Sequence, residues 1–115
     1  MSKKNAELNI LELTPKRLLE HEVNKDGLIN VLVPRFKTHF LQKLILRKNP
    51  YIKANLDEIG SAVWELIDGN RTAIDIANLL KKKFVELEKI YERVGLFLQK
   101  LNKNNFITFM EIKEK

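Results

Sequence analysis

The chain has 115 residues, enough for one hydrophobic core and too few for two. It contains no cysteine, which excludes a disulfide scaffold, a thiolate-held zinc or iron–sulfur site on this chain, and a cysteine nucleophile. A formal charge of +6, with 44% hydrophobic and 31% charged residues, fits a globular domain. That balance favours an anionic partner (an acidic peptide, nucleic acid or an anionic surface) or serves solubility alone.

In chain order, residues 1–16 show no defined pattern, and Met1–Ala6 and Lys113–Lys115 are expected to fray. Leu18–Val23 reads as a strand and Asn24-Lys25-Asp26-Gly27 as a turn in which Gly27 takes a positive φ. Leu28–Val33 is rich in branched side chains and completes an antiparallel hairpin, which Pro34 ends because proline cannot donate to a ladder. Phe36–Lys48 places Phe36, Phe40, Leu41, Leu44 and Ile45 at helical spacing among four basic residues, predicting a short amphipathic helix. As a functional segment it suits partner docking better than an anionic membrane or nucleic acid, since one short segment attaches weakly to a bilayer. The alternative is a solvated face covering the core.

Asn49-Pro50 breaks that helix, and Tyr51–Ala54 predicts a third strand. Asn55 with Glu58 resembles a capping box and opens the first of three helices, in which Leu56, Ile59, Gly60, Val63 and Ile67 recur at helical spacing. Asp68-Gly69-Asn70 is a turn that stops it. Thr72 with Asp75 opens the second helix, whose buried stripe is Ile76, Ala77, Leu80 and Phe84. Leu87, Ile90, Tyr91, Val94, Phe97, Leu98 and Leu101 mark the apolar side of the third. Asn102–Asn105 ends it, and Phe106–Ile112 predicts a terminal strand. The expected fold is α+β and winged helix-turn-helix-like: a small antiparallel sheet of about three strands, a three-helix bundle, an extra short helix and a C-terminal strand, in one domain spanning residues 1–115.

Chemistry-bearing constellations are lacking. His21 and His39 are the only histidines and have no third metal ligand in view, and neither Ser2 nor Ser61 sits in a nucleophile elbow. The four glycines are scattered, so no phosphate loop is present. Trp64 reads as a core anchor, and Arg71 as the partner of Asp68 or Asp75. The chain is expected to be a binder without catalytic residues, cofactor or metal. No apolar run is long enough for a signal peptide or a membrane span, so a cytoplasmic protein is expected.

The stretch Val63-Trp64-Glu65-Leu66-Ile67-Asp68-Gly69-Asn70-Arg71-Thr72 resembles the signature of the PqqD-like family, whose founder acts in synthesis of pyrroloquinoline quinone. Ile76-Ala77, Phe84, Phe97-Leu98, Leu101 and Asn105-Phe106-Ile107 continue the resemblance, which covers roughly residues 51–107. The chain departs from the family at Asn105, where a glycine is frequent, and in Phe36–Lys48, which the founder lacks.

The resemblance implies a non-catalytic adaptor. It would bind the leader of a ribosomally made precursor peptide and present it to a radical SAM type modifying enzyme. The leader would add as an extra strand to the small sheet and pack on the third helix. The candidate edge is Tyr51, Ile52, Lys53, Ala54 and Asn55, and the candidate helix stripe is Tyr91, Gly95, Leu98 and Asn102. Lys53 and Arg93 are the cations placed to attract an acidic leader. Gly95 either admits a bound strand or lets helices pack closely. A monomer and a strand-exchanged homodimer are both compatible with the sequence.

A winged-helix DNA-binding regulator is the rival reading. The third helix would then enter the major groove, where Glu86, Glu88 and Glu92 bring the wrong sign to the phosphates, partly offset by Lys89, Arg93, Lys100, Lys103 and the run Lys81-Lys82-Lys83.

Overall fold

Two antiparallel pairings tie distant parts of the chain together in this computed structural model, which describes residues 9–34 and 51–112. The predicted helix Phe36–Lys48 and the expected frayed ends lie outside the described residues. β1 (Pro15–Arg17) pairs with β5 (Ile107–Phe109), Pro15 opposite Phe109. β2 (His21–Val23), β3 (Ile29–Pro34) and β4 (Tyr51–Asn55) form a second sheet with β3 in the middle. α1 (Glu58–Leu66), α2 (Ala73–Lys83) and α3 (Ile90–Lys103) complete an α+β fold. The five described strands lie in two sheets, of three and two strands, rather than in one sheet of about three with a terminal addition.

The β2–β3 hairpin forms around the predicted turn. The Asn24 side-chain oxygen accepts from the backbone N–H groups of Asp26 and Leu28, and Gly27 sits at φ +81°. The first strand of the hairpin is shorter than the predicted Leu18–Val23. The Leu18 N–H donates to the Phe106 carbonyl instead, and residues 18–20 carry the chain from one sheet to the other. Pro34 is the last residue of β3, as its missing donor requires.

Helix starts follow local hydrogen bonding. α1 is capped by Asp57, whose carboxylate accepts from the Gly60 N–H at 2.8 Å, and not by Asn55. Asn55 is the last residue of β4, opposite Asn30, so pairing in the sheet places it outside the cap. α2 carries the predicted capping box: the Thr72 hydroxyl accepts from the Asp75 N–H, and the Asp75 carboxylate accepts from the Thr72 N–H. Between α1 and α2, Gly69 at φ +82° makes the turn, and Arg71 pairs with Asp68 at 3.1 Å. α3 starts later than its apolar pattern, leaving Leu87 in the connection that follows α2. It ends with Asn105 at φ +65°, the left-handed position that a glycine favours and asparagine tolerates, and the Phe106 N–H closes back on the Leu101 carbonyl.

The core joins both sheets to the helices. Ile29, Val31, Trp64, Ile67, Ile76, Leu80, Val94, Leu98 and Ile107 are all buried in it. α1 is fastened to the three-stranded sheet at two points on one face. The Ile29 N–H donates to the Ser61 hydroxyl at 2.8 Å, and the Trp64 indole N–H donates to His21 Nδ1 at 3.1 Å. Trp64 is therefore the expected core anchor, and Arg17 lies 5.8 Å from its ring. The segment before β1, unassigned from sequence, is part of the fold. Its 3-10 turn (Asn9–Glu12) rests on α2 and α3, and the Leu13 carbonyl accepts from the Ala73 N–H at 2.8 Å. Thr14 gives both its N–H and its hydroxyl to the Glu111 carboxylate, at 2.8 and 2.7 Å.

Candidate functional site

Among the described residues, strand β4 is an edge of its sheet. The Leu56 N–H bonds the Ile29 carbonyl, so strand alternation turns the backbone groups of Ala54 and Ile52 toward β3 and those of Lys53 and Asn55 outward. The outward N–H and C=O groups of Lys53 and Asn55 are therefore offered to any strand laid alongside. The Lys53 ammonium itself reaches across the sheet to Glu22 at 2.9 Å. That bond, followed by one from Asn30, holds the Glu22 carboxyl below the usual carboxylate range. Lys53 thus offers its backbone, while its charge is already engaged.

At its Asn55 end the edge runs into a groove of about 620 Å³ between the start of α1 and one face of α3. Arg93, Leu96, Phe97, Lys100 and Leu101 line it from α3, at the spacing of a single helix face, Asn104 lines it just beyond the helix, and Leu56, Ile59 and Phe106 add apolar side chains. Leu96 is 65% exposed, unusual for a leucine on a helix that packs against a core. Arg93 and Lys100 are both exposed, one helical step of seven apart, with the apolar Leu96 and Phe97 between them. An extended peptide with apolar side chains pointing inward and a carboxylate near the rim matches that surface.

The stripe chosen from sequence adjoins this face, and its residues divide between the core and a second hollow of about 320 Å³, which Tyr91 and Gly95 line together with Ile10 and Leu11. Leu98 is fully buried in the core and lines no groove. Gly95 is covered by the turn before β1: a Cβ placed there would lie 3.5 Å from Ile10 and 3.9 Å from Leu11. Within the chain, the close neighbour of Gly95 is therefore the Asn9–Glu12 turn and not another helix. The Tyr91 hydroxyl donates to the Asn78 side chain, and the Lys81 ammonium stands 5.5 Å from the Tyr91 ring. Asn102 donates to the Ile107 carbonyl at 3.2 Å. Of the ten residues named from sequence, the structure brings Asn55 and Arg93 together at the groove, while Tyr51, Ile52, Lys53 and Ala54 form the strand leading to it. Leu96, Phe97 and Lys100, which line the groove with them, are not among those ten. The signal that marks them is an apolar residue off the buried stripe with a cation one turn to either side.

Among the described residues no group of three or more His, Asp or Glu side chains is placed to hold a metal ion, and no helix is long and apolar enough to cross a membrane. Among the described residues, the edge of β4 is thus continuous with an apolar, cation-rimmed groove on α3. The chain belongs to the PqqD family: the family model for coenzyme PQQ synthesis protein D matches residues 46–107, more than half of its length. Proteins of that family serve coenzyme PQQ synthesis as non-catalytic accessories, associating with the precursor peptide and its modifying enzyme. No curated protein and no solved structure matches the chain.

Proposed function

We propose that this chain is a peptide-binding adaptor, one domain that takes up the leader of a ribosomally made precursor peptide and presents it to a radical SAM type modifying enzyme. The leader adds as a strand to the outer side of β4 and continues into the groove on α3. The observation that carries this reading is the continuity of the two surfaces, an open edge at Lys53 and Asn55 that ends where the groove begins. Main-chain bonds to the edge supply affinity that is indifferent to sequence. Selectivity comes from apolar side chains seated against Leu56, Ile59, Leu96 and Phe97, and from acidic ones near Arg93 and Lys100. The role is conducted on the reducing, cytoplasmic side that a cysteine-free binder suits.

DNA binding is the poorer reading of the same fold. Glu88 and Glu92, exposed at the start of α3, stand where a recognition helix meets phosphates.

The test is an amide NMR titration of the whole labelled chain with the precursor peptide and, separately, with a mixed-sequence DNA duplex. Shifts should follow Tyr51–Asn55 and the α3 face from Arg93 to Lys100 with peptide alone. The variant Leu96→Glu, at an exposed position, should weaken the peptide while leaving the fold intact. Salt-resistant shifts with DNA, or peptide shifts that avoid β4 and α3, would refute the adaptor.

A further inference from the structure

The end of α2 carries charge that neither the fold nor the peptide groove uses. Lys81, Lys82 and Lys83 are all exposed, and none joins an ion pair among the described residues. The only acid of the helix, Asp75, is committed to the capping box. A cation near a helix C-terminus is favourable by roughly 0.3–1 kcal/mol, which accounts for one lysine better than for three that repel one another. Two of them are positioned without being neutralised: Lys81 lies 5.5 Å from the Tyr91 ring and Lys83 5.7 Å from the Phe84 ring.

Apolar surface accompanies the charge. Leu79 is 39% exposed and shares a helix face with Lys82 and Lys83, three and four residues on. Val85, just beyond α2, is 77% exposed, the most exposed large apolar side chain among the described residues. Lys83, Phe84, Val85, Glu86 and Leu87 line a hollow of about 480 Å³. It shares no residue with the groove between α1 and α3.

We propose that this edge is a docking surface for an acidic protein surface, one that sets carboxylates around one or two apolar side chains. The carboxylates meet Lys81, Lys82 and Lys83, and the apolar side chains meet Leu79, Val85 and the hollow. A continuous run of phosphates fits less well. Extending past Lys83, a nucleic acid backbone or an anionic bilayer meets the exposed Glu86 and Glu88, whereas a discrete set of carboxylates stops short of them. Because the two lining sets are disjoint, a partner docked here leaves the α1–α3 groove open.

The experiment titrates the labelled full chain, at about 150 mM salt to suppress long-range attraction, with a capped Glu-Leu repeat peptide. The Gln-Leu counterpart, phosphatidylserine vesicles and a DNA duplex are run in parallel. The acidic peptide should move amides from Leu79 to Leu87, and the Gln-Leu peptide should not. The variant K82Q/K83Q, at two exposed positions, should weaken those shifts about fivefold or more, as the loss of two exposed ion pairs predicts. Shifts from Arg93 to Lys100 report the other groove and should be unchanged by the variant. The proposal is overturned if the acidic peptide leaves Leu79–Leu87 unmoved, or if the variant binds it as well as the parent. It is equally overturned if vesicles or DNA move the same amides at lower concentration.

Discussion

Two glycines in helices make opposite predictions when replaced by alanine. Alanine in a helix interior is ordinarily favoured over glycine by about 1 kcal/mol. At Gly60 in α1 a Cβ would stand 3.1 Å from Asp57 Oδ1, 3.2 Å from the tip of the Phe97 ring and 3.4 Å from Leu56 Cβ. The Phe97 ring has the open groove to move into. Asp57 does not, because its Oδ1 is the capping acceptor for the Gly60 N–H. Overpacking costs about 1–3 kcal/mol and a weakened cap about 1 kcal/mol more, against the propensity gain. Gly60→Ala should therefore destabilise by about 1–3 kcal/mol. At Gly95 in α3 the new methyl would meet Ile10 at 3.5 Å and Leu11 at 3.9 Å, ordinary contact distances, so Gly95→Ala should be stabilising by up to about 1 kcal/mol. Urea and thermal melts of the two variants would separate them by several degrees, given about 3–6 °C per kcal/mol for a chain of this size. Gly60→Ala should also weaken peptide binding, since the displaced Phe97 ring narrows the groove. If Gly60→Ala is more stable than the parent, the close packing of α1 against Phe97 described above is wrong.

Other expectations concern single contacts. His21→Ala leaves the buried Trp64 N–H without its acceptor and should cost about 1–3 kcal/mol, with a shifted emission from the only tryptophan. Asn105→Gly should be neutral or stabilising and Asn105→Val destabilising by about 1–2 kcal/mol, because the position needs a left-handed backbone; thermal melts of the pair check this. The bonds from Thr14 hold the Glu111 carboxyl below its ordinary 4.5. A carboxyl depressed in the folded state adds stability that is complete above 4.5 and is lost as pH falls through the lower folded value. Glu111→Gln should thus be slightly less stable than the parent at neutral pH, and the gap should narrow as pH falls below 4.5 through the lower folded value, in melts of both chains across that range; the exposed carboxylate keeps the difference small.

Elements whose signals are local were readable from the chain. The Thr72–Asp75 box, the Gly27 and Gly69 turns and the β4 strand all appear where short-range rules put them. Asn55 and Asp57 are both good caps, and only the register that sets Asn55 opposite Asn30 decides between them. Pro15-Lys16-Arg17 has little strand character of its own, and becomes β1 because β5 lies beside it. On α3, periodicity shows two adjoining stripes without saying which faces the core. The burial of Leu98 and the turn at Asn9–Glu12 show that tertiary packing decides it, with the groove at Arg93, Leu96 and Phe97 lying one stripe over from Tyr91 and Gly95.

The pairing of β1 with β5 also bears on how the chain folds and how it is handled. The segment matched by the family model begins at residue 46, and so leaves out β1, β2 and β3. Cut out alone, it would hold a β4 with both edges open, a Trp64 without His21 and a β5 without its mate. Such a fragment invites edge-to-edge association. In the intact chain, the contact between residues 15–17 and 107–109 closes a loop over most of the sequence, and its entropy is lost before the pairing returns anything. The helices can assemble early from local contacts. The small terminal sheet, which joins the two ends of that loop, should lock late.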